Sequence, residues 1–178
     1  RLAIAPATTD LSSADIDLVG HENRTFLLRD ALRLDGVRRY DFVLIDCPPS
    51  LNMLTINAMV AADAILVPLQ TEFYALEGLS QLMRTMRDVR ETANPILRIE
   101  GIVLTMYDSR NKLCHQVAQD ARDNLGELVF RTHIPRNVRL SEAPSYAQSI
   151  LQYDSASRGS AAYRDLAREV LGRHLAHA

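Results

Sequence analysis

At 178 residues, with 47% hydrophobic and 24% charged side chains, the chain has an ordinary globular composition. It is long enough to bury one core, so disorder is excluded and a single domain over residues 1–178 is expected. No apolar run approaches the roughly 20 residues that cross a bilayer, and no membrane association is expected. The formal charge of −2 is unevenly divided: residues 1–100 carry ten arginines against 14 acids, and residues 101–178 carry nine arginines and one lysine against eight acids. A solvated face accounts for so small a difference as well as a polyanion does. Cys47 and Cys114 stand alone without metal-ligand spacing, which fits a reduced, cytoplasmic protein.

In chain order, Leu2–Ala5 reads as a short strand ended by Pro6. Its position almost at the first residue, with Arg1 in place of Met, leads to the expectation that a preceding segment has been removed. Helices are predicted over Asp10–Val19 and Thr25–Leu34, the second ended by Gly36. Tyr40–Asp46 reads as a strand buried on both faces, because Phe42-Val43-Leu44-Ile45 is continuously apolar. Pro48 and Pro49 then end the ladder, and Ser50 is placed to cap a helix carrying Leu51, Leu54, Ala58 and Ala61 on one face. Ala64–Val67 is a further buried strand closed by Pro68. The helix after it repeats Leu76, Leu79, Met83, Met86 and Val89 at three to four residues, a core stripe. Ile99–Thr105 is a strand, Leu113–Leu128 a helix, Val129–Ile134 a strand. An irregular stretch runs to about Asp154, followed by an amphipathic helix holding Tyr163, Leu166, Val170 and Leu171. Strands alternating with helices indicate an α/β fold with a parallel sheet.

Asp46 is the residue with the most chemical content. Open α/β sheets bind ligands at the carboxyl ends of their strands. An aspartate there is the Walker B position, the carboxylate that helps hold magnesium beside nucleotide phosphates. The plain alternative is a strand-end aspartate capping its own turn. Among the rest, His21, His115, His133, His174 and His177 lack metal-ligand spacing and read as surface residues. Glu72 and Glu77 beside Thr71 read as helix capping.

The blocks Asp46-Cys47-Pro48-Pro49-Ser50, Leu54–Ala58, Ala61-Ala62-Asp63, Val67-Pro68-Leu69, Phe73–Leu79 and Ile134–Ser145 together resemble the ParA/Soj family of partition ATPases, from about Leu2 to about Leu171. The resemblance implies a P-loop NTPase-like, mostly parallel sheet with helices on both faces, of which this chain is the C-terminal portion. The first strand and the P-loop would lie N-terminal to everything present. It also implies ATP and Mg2+ as ligands, with Asp46 on the magnesium side, through water. Met106, Pro135, Arg136 and Asn137 would border the adenine, and Arg110 and Arg139 would contact DNA. The corresponding activity is ATP-dependent homodimerisation, nonspecific binding of double-stranded DNA, and hydrolysis stimulated by a ParB-type partner, in a cytoplasmic, nucleoid-associated protein. Ordinary loop chemistry and a solvated arginine-rich surface are the bland counterparts of these two residue groups.

A P-loop requires Gly-x-x-x-x-Gly-Lys-Ser/Thr, yet the one lysine here is Lys112, with no glycine near it. Phosphoryl transfer is mostly positioning and charge stabilisation by that cradle, so this chain alone is not expected to hydrolyse ATP. It is expected to be less stable than the intact protein or to pair with another copy. Two other readings stand beside the main one: a noncatalytic ParA-like scaffold, and a receiver-type signalling domain phosphorylated at Asp46. The second lacks the acidic pair and late Lys-Pro that receivers carry.

Overall fold

Three strands form a parallel sheet in the order β1-β2-β3 in the computed structural model, which describes residues 2–13, 17–33, 37 and 39–177. They are β1 (Ala64–Gln70), β2 (Arg98–Tyr107) and β3 (Val129–Pro135). The helices are α1 (Leu27–Leu32), α2 (Met53–Ala61), α3 (Ala75–Thr92), α4 (Lys112–Leu125), α5 (Val138–Glu142), α6 (Ile150–Tyr153) and α7 (Arg158–His177). The chain divides into two units, one of Arg1–Ala64 with Leu82–Arg98, the other of Ile65–Gln81 with Ile99–Ala178.

In the first unit α1 packs on α2. Asn52 caps α2 by accepting the Thr55 amide, and the Thr55 hydroxyl donates to the Ser50 carbonyl at 2.6 Å. The cap is therefore two residues later than Ser50, which serves as an acceptor instead. The buried side of α2 is Thr55, Asn57, Ala58, Met59 and Val60, so two polar residues join the core in place of Leu54 and Ala61. Both are satisfied. Asn57 donates to the carbonyls of Arg24 (2.7 Å) and Met53 (3.0 Å) and accepts the Leu28 amide. Buried Asn94 donates to Met59 (2.9 Å) and Ala62 (2.7 Å), filling carbonyls that the end of α2 leaves open.

Two expected strands are absent here. Leu2–Ala5 and Phe42–Asp46 carry no ladder, and Leu2 and Leu44 are 90% and 92% exposed. A strand buried on both faces exists only through ladders on each side, and among the described residues neither segment is assigned to the sheet. The predicted helix over Asp10–Val19 is a 3-10 turn at Thr9–Ser13, with residues 14–16 outside those described. Leu34 and Gly36 also lie outside them.

The second unit holds the sheet. β1 runs through Pro68 to Gln70, with Val67 and Leu69 buried and Leu66, Pro68 and Gln70 exposed. Proline is tolerated because β1 is an edge strand of this sheet. β2 pairs with β3 in parallel, Ile102 opposite Val129 and Tyr107 opposite Pro135. Val103, Phe130, Ile134 and Leu166 form the core between sheet and α7, with Leu140, Ala162 and Val170 against it. Gly101 lets the Phe130 ring lie directly on the β2 backbone: a Cβ there would meet Phe130 Cζ at 2.6 Å. The free edge of β3 is covered by Glu169 of α7, whose carboxylate accepts the amides of Arg131 (2.8 Å) and Thr132 (3.0 Å). Helix α4 ends at Gly126 with φ +54°, the left-handed conformation that glycine adopts without strain. The stretch after β3 contains α5, a 3-10 turn at Ala143–Tyr146, and α6. Their shortness left no periodicity to read.

Candidate functional site

β2 and β3 deliver their carboxyl ends side by side, and the two loops leaving them are tied together. The Arg136 amide donates to the Tyr107 carbonyl at 3.0 Å. Met106 therefore lies next to the Pro135–Asn137 turn, and the four residues expected to border the adenine converge. Met106 has φ +53°, a conformation that a side-chain-bearing residue holds only when its surroundings impose it. Thr71 supplies part of that constraint. Its amide (3.2 Å) and hydroxyl (3.3 Å) both donate to the Thr105 carbonyl, and its hydroxyl also lies 3.4 Å from the Met106 carbonyl and 3.3 Å from Cys114 Sγ. Thr71 is buried and pins β1 to the end of β2. Asn137 caps α5 through the Arg139 amide (2.9 Å), and Asn111 caps α4 through the Leu113 amide (2.9 Å).

Both arginines singled out for DNA contact are bonded to acids. Asp108 accepts Arg110 through the amide, Nε and Nη2, each at 3.0 Å. This fork holds the Asp108 carboxyl down at about 2 and raises the guanidinium above its usual value. Arg139 donates to Glu142 at 2.9 Å and lies 3.6 Å from Asp154, while the Tyr153 hydroxyl donates to the same Glu142 oxygen at 3.2 Å. Arg110 and Arg136 line a cleft of about 920 Å³ with Tyr107, Arg131, His133 and Arg158; Arg139 is not among its lining residues.

His133 is not a simple surface residue. Its ring stacks on Tyr107 at 4.7 Å, and the Tyr107 hydroxyl bonds His115 Nδ1 at 3.1 Å. Burial, then the Arg122 guanidinium bonded to it, hold its pKa below the ordinary value, with Glu169 partly opposing. Nothing in its sequence spacing signals this. The alternation along β3 places it opposite buried Phe130 and Ile134.

Asp46 belongs to the first unit. It is exposed at the end of the extended segment, followed by a bend at Pro49 and Ser50. Cys47 beside it is exposed, and desolvation and the Asp46 carboxylate push its thiol up. Among the described residues no three His, Cys, Asp or Glu cluster to hold a metal. No described helix is long and apolar enough to cross a membrane. The loops at Met106 and Pro135–Asn137, with a half-buried proline and a constrained backbone, suit a planar base. A lone oxygen donor at Asp46 suits a hard cation held through water. The residues that would grip a triphosphate are not in this chain.

Comparison with known proteins gives the same direction. A family model described as "AAA domain" matches residues 1–99. The chromosome partitioning protein ParA of Caulobacter vibrioides is 57% identical over 175 residues, covering 97% of this chain and 65% of that protein. The sporulation initiation inhibitor protein Soj of Bacillus subtilis is 49% identical, over 96% of this chain and 67% of its own length. Among solved structures, cobyrinic acid a,c-diamide synthase from Mycobacterium smegmatis, with bound ADP and magnesium, superposes with a TM-score of 0.77 at 36% identity, over 97% of this chain and 63% of that one. The chain thus spans about two thirds of the length of these relatives. The agreement of fold, strand-end loops and near-complete alignment makes this chain a member of the ParA/Soj family of partition ATPases.

Proposed function

We propose that the protein acts in DNA partition as an ATPase, with this chain contributing the base-binding loops, the magnesium-side carboxylate and the DNA-contacting surface. Met106, Pro135, Arg136 and Asn137 would border the adenine, and Asp46 would hold the magnesium ion through water. Arg110 and Arg139 meet phosphates of duplex DNA without reading sequence. ATP draws two copies together, the dimer holds DNA, and a ParB-type partner stimulates hydrolysis and release. When bound, Mg2+ neutralises the charge that develops on the phosphates. This chain's own share is to seat the base and present Asp46. No hydrolytic step follows from it alone, since the phosphate cradle is not among its residues.

One observation carries this reading: the Arg136-to-Tyr107 backbone bond that joins the loops of two adjacent parallel strands at the edge where such sheets take ligands. Photolabelling of the full-length protein with azido-ATP, mapped by mass spectrometry, tests it. Adducts within 104–108 or 134–138 support the site; efficient labelling confined to other segments overturns it. In parallel, Arg110→Ala with Arg139→Ala is expected to weaken duplex binding at unchanged ATP binding.

A further inference from the structure

Arginines 110 and 139 are occupied by acids, whereas three others on the same unit have no side-chain partner among the described residues. Among the described residues, Arg131, Arg136 and Arg158 have no ion pair and no side-chain hydrogen bond, and all three are exposed. They come from three separate places, the outward face of β3, the turn after it, and the first residue of α7, and all line the cleft of about 920 Å³. The acids in its wall are Asp108 and Asp165. Asp108 is committed to the Arg110 fork and only attracts Arg136 at longer range; Asp165 is paired with Arg168 at 2.5 Å. The cleft therefore gathers positive charge that the protein itself leaves uncompensated. Leaving three such groups together has an electrostatic cost that a bound polyanion removes.

We propose that Arg131 and Arg158 are phosphate contacts for duplex DNA, extending the DNA surface beyond Arg110 and Arg139 across the cleft onto the start of α7. The proposal rests on the duplex-binding reading given above. The occupant follows from continuity and charge: Arg110 itself borders the cleft, so one backbone running past it along the Arg131 and Arg158 side meets both, leaving Arg136 to the base. The Glu169 carboxylate accepts the Arg131 main-chain amide, which fixes the backbone and leaves the guanidinium free to reach outward. Arg131 and Arg158 also present guanidiniums with no internal partner to displace, so they bind phosphate without first breaking a pair. Arg110 and Arg139 must exchange carboxylate for phosphate.

The test measures duplex binding of the full-length protein by fluorescence anisotropy, on two unrelated sequences, between about 50 and about 200 mM salt. Arg131→Ala and Arg158→Ala are expected to weaken binding equally on both sequences. Each should lower the steepness of log K against log salt by about 1, with unchanged melting temperature and azido-ATP labelling. Arg87→Ala, an exposed residue of α3 outside the cleft lining, serves as the control and should match the parent. Arg131→Lys should restore most of the salt dependence. If both alanine variants bind with parental affinity and slope while the Arg110/Arg139 pair loses binding, this extension is wrong and the duplex reading stands. If no arginine variant matters, both fail. If the alanine variants lose inorganic phosphate or free nucleotide but keep DNA, the cleft is a small-anion site and the proposal is overturned.

Discussion

Glu169 offers the sharpest test of how the site-bearing strand is held. Its carboxylate accepts two amides from the free edge of β3, at 2.8 and 3.0 Å, and lies 3.7 Å from Arg173, with 19% of its side chain exposed. A hydrogen bond to a charged group contributes about 1.5–3 kcal/mol. Arg131 is exposed, so water replaces part of the loss at that amide. Glu169→Ala should therefore cost about 2–3 kcal/mol in all. Glu169→Gln keeps one acceptor oxygen and should cost about half as much. For a chain of this size each kcal/mol moves the melting temperature by roughly 2–4 °C.

The pH dependence separates this account from simple packing. Burial pushes the Glu169 pKa up, but the Arg131 and Thr132 amides more than offset it, so the folded value lies below the ordinary 4.5. The unfolded chain then takes up the proton first as pH falls. The stabilisation is complete above the unfolded pKa and is lost as pH drops through the lower folded value. Urea midpoints followed by circular dichroism should show the Gln variant weaker than the parent at neutral pH, with the gap closing below about 4.5. A gap that is absent at pH 7, or that persists unchanged in acid, would refute the reasoning.

Three further outcomes are expected. Gly101→Ala forces a methyl into the fully buried Phe130 ring and close to Arg173, which stacks on that ring at 4.0 Å; thermal melts should register about 1–3 kcal/mol of destabilisation. Asp108→Asn opens the fork that holds Arg110, so duplex DNA should bind more tightly than to the parent across neutral pH; because Asp108 is held at about 2, the parent should show no change of this kind until strongly acid conditions. Asp46→Asn in the full-length protein should lower ATP hydrolysis by about 10–100-fold, the range for groups acting on a metal through its outer shell. Its exposure predicts an unchanged melting temperature.

The elements after residue 64 were largely legible because each carries its own periodicity. The α3 stripe of Leu79, Met86 and Val89 is buried as read, and β2, α4, β3 and α7 lie within a few residues of their predicted bounds. Phe42–Asp46 reads as a strand but forms no ladder for a physical reason: four apolar residues specify a strand only when partners flank it, and pairing is a property of the whole sheet. Pro68 reads as a stop because the sequence does not say which strand lies at an edge. Of the candidate site, the convergence of Met106 with Pro135–Asn137 was readable from the resemblance. The stacking of His133 on Tyr107 was not. The stack depends on side-chain directions across neighbouring strands, which no local pattern encodes, whereas Asp108 lies two residues before Arg110 and Glu142 sits at i+3 from Arg139, so those two pairs were within reach of the spacing.

The two thiols have opposite fates, Cys114 sealed beneath Thr71 and Cys47 open to solvent next to Asp46. The native sequence thereby contains a built-in attachment point for a spectroscopic reporter adjoining Asp46, the carboxylate proposed for the magnesium side, with no mutagenesis required. Since that thiol is pushed above its ordinary pKa, a maleimide or disulfide reagent should react slowly at neutrality and faster in mild alkali. Any slowing on addition of magnesium and nucleotide would report directly on occupancy at its neighbour.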